Sequence, residues 1–112
     1  MNARAQTILW VAQRASAAVL ALCVTVHIAT MVYAIRGGLS AAEILSRTRG
    51  SVGWLVFYAV FVLAVSVHAP IGLKSIFNEW FAWRGSACNI ALIAFATILI
   101  TLGMRAVLGV FL

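Results

Sequence analysis

Hydrophobic side chains run along this chain in three long blocks, and the polar positions fall mostly between them. The first block is apolar from Ala15 to Ala34, the second from Val52 to Leu73, and the third from Ala87 to the C-terminus. A hydrocarbon core about 30 Å thick takes roughly 20 mostly apolar residues per helical crossing, and each block is long enough. No water inside lipid satisfies the backbone, so a helix is the form such a block must take. The pattern predicts an all-α membrane protein with three transmembrane helices over about residues 7–35, 52–79 and 87–112, forming one transmembrane domain over 1–112.

The polar positions between the blocks act as punctuation. Gly37 and Gly38 stop the first helix. Ser40 and Glu43 stand at capping-box spacing ahead of Ile44, Leu45, Arg47 and Arg49. That predicts a short interfacial helix over about residues 40–47. Gly50 and Ser51 open the second helix, Trp80, Phe81 and Trp83 mark a membrane-interface belt behind it, and Arg84-Gly85-Ser86 turns the chain. The first turns, with Arg4 and Arg14 around a short apolar patch, have no small-residue cleavage site, so the N-terminus is expected to be retained.

Composition closes off other classes. Hydrophobic residues make up 65% of the chain and charged residues 9%, which leaves almost nothing for an extramembrane domain. The net charge of +6 comes from residues at helix ends rather than from a run or stripe, a distribution that suits lipid headgroups and excludes nucleic acid. Arg4, Arg14, Lys74 and Arg84 fall on one side and Arg36, Arg47, Arg49 and Arg105 on the other, so the positive-inside rule leaves orientation open. Cys23 and Cys88 lie inside apolar blocks without CxxC spacing and read as small buried hydrophobes.

Two ionisable side chains lie deep in the apolar blocks, His27 and His68. Such groups are costly in hydrocarbon and call for a function. Neutral imidazole is the commonest protein ligand for a metal, and in a helix bundle the metal to expect is haem iron; an interhelical hydrogen bond is the other reading. At about 100° per residue, Gln13, Ser16, Leu20, Cys23 and His27 share one face of the first helix, either lining a cofactor or forming a close helix–helix seam. Gly72, one turn after His68, leaves room for a flat macrocycle or for close packing. Pro70 cannot donate to the carbonyl of Ser66 and so threatens a kink beside His68. The two histidines fall in opposite leaflets, about 12 Å apart in depth at 1.5 Å rise per residue, too far for one iron. If both are axial ligands, each needs a second histidine from another chain, with up to two haems per assembly.

Trp10-Val-Ala-Gln13-Arg14-Ala-Ser16, His27, and above all His68-Ala-Pro-Ile-Gly72-Leu73-Lys74 resemble the cytochrome b membrane anchor of the succinate dehydrogenase and fumarate reductase family. The likeness covers the first two helices and is closest to the C-terminal half of the longer di-haem anchors; the third helix matches only as an apolar span. The resemblance implies haem b ligated by His68 near the cytoplasmic face and by His27 near the outer face, with Gln13, Arg14, Ser16, Gly72 and Lys74 around the cofactor. It also implies a quinone site involving Trp10, Arg14 and Ser16. Trp10 stands where three-helix anchors carry their quinone-site serine. Arg14 reads either as a partner of a haem propionate or quinone carbonyl or as a snorkelling anchor.

By the same resemblance the chain is half of a haem-binding bundle in the inner (cytoplasmic) membrane with a cytoplasmic N-terminus. It docks an iron–sulfur subunit and an FAD flavoprotein and pairs with a second copy or a related anchor. Dicarboxylate chemistry lies on those partners, and the chain itself has no catalytic residue. The alternatives are the cytochrome b of a hydrogenase-like complex, or a cofactor-free transporter or assembly subunit; a transporter is expected to carry an intramembrane carboxylate, and Glu43 and Glu79 lie outside the spans.

Overall fold

The computed structural model describes residues 2–112. Helix α1 spans Ala3–Arg36 and starts earlier than residue 7, because the Asn2 side chain caps it by accepting from the Ala5 backbone N–H at 2.8 Å. Its C-terminus is Gly37, followed by Gly38 at φ 63°, where a side chain would be strained. Helix α2, Ala41–Thr48, opens with the full capping box: Ser40 Oγ accepts from the Glu43 N–H, and the Glu43 carboxylate accepts from the Ser40 N–H. Helix α3, Val52–Trp80, is capped by Ser51 and continues unbroken through Pro70. Gly85, at φ 98°, turns the chain into α4, Ser86–Phe111.

The long helices α1, α3 and α4 are each long and apolar enough to cross a membrane. The 34 residues of α1 extend about 51 Å at 1.5 Å per residue, so its ends reach past the hydrocarbon into both headgroup regions. Helix α3 is the middle of the arrangement and packs against both α1 and α4, while α2 packs on α4. The N–H of Gly50 donates to the Phe111 carbonyl at 2.9 Å, tying the turn after α2 to the end of α4.

The interior is thin and built mainly from small groups. Ser16 and Cys23 are the buried positions of α1, Ala64 of α3, and Cys88, Leu92 and Val107 of α4. Both cysteines are free. Small side chains let backbones approach where lipid supplies no hydrophobic drive between helices. Most other apolar side chains face outward, including Trp80 and Phe81 at the interface belt.

Candidate functional site

Helices α1 and α3 run antiparallel in one continuous register, with Gln13 beside Gly72, Ser16 beside His68, and His27 beside Tyr58 and Phe61. The polar stripe inferred on α1 is therefore the seam against α3. Ser16 and His27 are eleven residues apart, about 16 Å along the helix axis, somewhat more than the depth estimated from helix midpoints. Among the described residues no group of three His, Cys, Asp or Glu side chains gathers that could hold a metal ion. The two histidines form separate centres at opposite ends of the seam.

At the first centre Ser16 Oγ donates to the Gln13 carbonyl at 3.1 Å and lies 3.5 Å from His68 Nδ1. Nδ1 is the ring nitrogen that faces Ser16 of α1, and Nε2 has no hydrogen-bond partner among the described residues. A Cβ added at Gly72 would lie 3.3 Å from Gln13 Nε2, so the amide of Gln13 occupies the notch beside this glycine. The Gln13 Oε1 atom is buried without a hydrogen-bond partner. This unpaired buried polar atom belongs to the side chain that meets Gly72, one turn from His68.

At the second centre the Tyr58 hydroxyl lies 3.4 Å from His27 Nδ1, and the imidazole meets the Tyr58 and Phe61 rings edge-on with centroids 5.8 and 5.7 Å apart. Trp54 stacks on Tyr58 from the next turn, fixing the phenol. His27 also borders an open cavity of about 600 Å³ whose other walls are Phe61 and Val65 of α3, Leu102 and Gly103 of α4, and Ile44 and Thr48 of α2. Its lining is almost wholly apolar. A second cavity of about 380 Å³ shares His27 and Tyr58 and reaches Tyr33 and Arg47, where the Arg47 guanidinium lies over the Tyr33 ring and donates to its hydroxyl at 3.4 Å.

The remaining candidates separate. Arg14 lies over the Trp10 ring at 5.1 Å on an exposed face of α1, whereas Ser16 is turned into the seam with its donor already engaged. Trp10 and Arg14 thus form one pair on the exposed face, and Ser16 lies with His68 in the seam. The helical period accounts for this, since two residues rotate the side chain by about 200°. Lys74 is half-buried beyond Gly72, near the end of α3.

The profile of the succinate dehydrogenase/fumarate reductase transmembrane subunit matches residues 1–104. The chain belongs to that family. Searches of the curated proteins and of the solved structures found no match. As a succinate dehydrogenase/fumarate reductase transmembrane subunit it is an all-α, multi-span membrane protein, a cytochrome b-like anchor of a quinone-linked redox complex. Family membership implies association with iron–sulfur and flavoprotein subunits. The match extends over most of α4, beyond the two helices that carry the recognisable motifs.

For this family member, reading the sequence missed Tyr58 and the α4 wall of the His27 cavity. Tyr58 had a signal: a hydroxyl within an apolar block, at the depth that antiparallel pairing assigns to His27. The α4 residues had none, being apolar side chains within a uniformly apolar helix.

Proposed function

We propose that this chain is the haem b-binding membrane anchor of a succinate:quinone oxidoreductase, passing electrons between an iron–sulfur subunit and membrane quinone. The supporting observation is that each intramembrane histidine is held through Nδ1 by a hydroxyl of the facing helix, as second-shell partners hold metal-ligating imidazoles. The donor set suits the cofactor: His68 with Nε2 free of any hydrogen-bond partner among the described residues, the unpaired Gln13 oxygen on the side chain that meets Gly72 one turn away, and His27 at a roomy apolar cavity. Haem b, when bound, supplies one-electron storage between the iron–sulfur chain and quinone.

His68 and His27 would each hold a separate haem through an imidazole nitrogen, and because each centre has one histidine, the remaining protein ligand would come from a second copy or a related anchor. Gln13, Ser16 and Gly72 shape the seam behind His68. Arg14 and Lys74, near the end that carries the N-terminus and the α3–α4 turn, offer cations to propionates or to a quinone carbonyl, and Trp10 packs on Arg14. This end faces the cytoplasm across the inner membrane and docks the iron–sulfur subunit.

A cofactor-free quinone anchor is the second reading, favoured by the Gln13 amide filling the notch at Gly72. A dithionite-reduced minus oxidised spectrum of the purified complex, with haem quantified per copy of this chain, separates the two. A b-type spectrum is expected, and its absence from an intact complex refutes the haem reading.

A further inference from the structure

Both intramembrane histidines turn Nδ1 to a hydroxyl, yet the two hydroxyls differ in what they can offer. A hydroxyl carries one proton and accepts through its lone pairs. Ser16 Oγ lies 3.1 Å from the main-chain oxygen of Gln13, a group that can only accept, and this shorter contact favours placing the serine proton there rather than on His68. Ser16 is also only 7% exposed, which keeps competing donors away. Toward His68 Nδ1, at 3.5 Å, the serine presents lone pairs alone. A hydrogen bond across that gap takes its proton from the imidazole, and a neutral imidazole has one N–H to give.

We propose that Ser16 is a positioning residue for His68: oriented by the Gln13 carbonyl, its hydroxyl holds the imidazole in the Nδ1–H tautomer and leaves Nε2 as a bare lone pair. The tautomer stands on the hydrogen-bond geometry, and the use of Nε2 for iron rests on the haem reading above. Nε2, which has no hydrogen-bond partner among the described residues, is then the nitrogen left free for a ligand. Tyr58 differs from Ser16. Among the described residues its hydroxyl has His27 as its one hydrogen-bond partner, so its proton is uncommitted and it does not dictate the His27 tautomer.

The test is nitrogen NMR of the full chain in lipid bilayers, without haem, with ¹⁵N-labelled histidine and neutral imidazoles. His68 should carry its proton on Nδ1; Ser16→Ala should move that proton wholly or partly to Nε2, and Ser16→Thr, which keeps a hydroxyl, should restore it. A wild-type His68 protonated on Nε2, or a tautomer unchanged by Ser16→Ala, overturns the proposal. In the purified complex, Ser16→Ala should weaken haem retention at His68 roughly 10- to 100-fold and raise the midpoint potential of that haem, since the imidazole loses an acceptor that strengthens it as a donor. Wild-type retention and an unchanged potential overturn the role in ligation even where the tautomer shifts. A complex with no haem at all refutes the haem reading instead, and the NMR result still decides the role of Ser16.

Discussion

Replacing Gly103 by alanine introduces a methyl group into the α3–α4 contact at a place with no room for it. The new Cβ would lie 2.6 Å from Val62 Cγ1, 3.0 Å from Cγ2 and 3.3 Å from Cβ. Carbon atoms in good contact stand about 3.5–4.0 Å apart, so the two groups must separate by about 1 Å. Val62 cannot swing aside freely, because a valine in a helix has one strongly preferred χ1 well. The helices must part or the rotamer must strain, and such overpacking costs about 1–3 kcal/mol. Alanine's better helix propensity offsets up to about 1 kcal/mol of this, which makes the single variant a poor measure.

A double-mutant cycle with Val62→Ala removes the propensity contribution, which is common to both backgrounds. The expected coupling is about 1–3 kcal/mol, with Gly103→Ala destabilising the parent and tolerated beside Val62→Ala. The assay is reversible unfolding in mixed micelles followed by helicity. A coupling below about 0.5 kcal/mol would refute the close approach of Gly103 and Val62. Both residues line the His27 cavity, so the same variant should also disturb the centre at that end of the chain while sparing His68.

His68→Ala should abolish or strongly deplete the haem at the end of the N-terminus while the chain still inserts, and His27→Ala should affect only the other; haem quantification per complex decides, and loss of all haem from His27→Ala counts against two separate centres. Tyr58→Phe keeps the ring contacts with Trp54 and Phe57 and removes only the hydroxyl on His27. It should cost about 0.6 kcal/mol by micelle unfolding, the usual size of a hydrogen bond between membrane helices, and should shift the potential of the His27 haem alone. Gly72→Ala should cost less than Gly103→Ala, because the atom it meets, Gln13 Nε2 at 3.3 Å, ends a flexible side chain. Equal destabilisation of the two variants by the same unfolding assay would contradict that difference.

Much of the architecture was legible because its causes are local. Lipid cannot satisfy a bare backbone, so three apolar blocks of sufficient length specify three spanning helices whatever their neighbours do. Capping is equally local: Ser40 and Glu43 lie one helical turn apart and find each other without help from the rest of the chain. The face shared by Gln13, Ser16, Cys23 and His27 follows from the period of one helix. Even the divergence of Arg14 from Ser16 was available from that period, although the family resemblance grouped them.

What tertiary structure decided is which groups meet across helices. The sequence marks His27 and His68 as polar groups in lipid. Only the α1–α3 register turns one to Tyr58 and the other to Ser16, and only the approach of α4 at Gly103 makes the cavity beside His27. Register depends on how side-chain volumes interlock between segments far apart in the chain. A uniformly apolar helix such as α4 carries no periodic signal of which face will be enclosed, because to lipid and to protein its leucines, isoleucines and valines look alike.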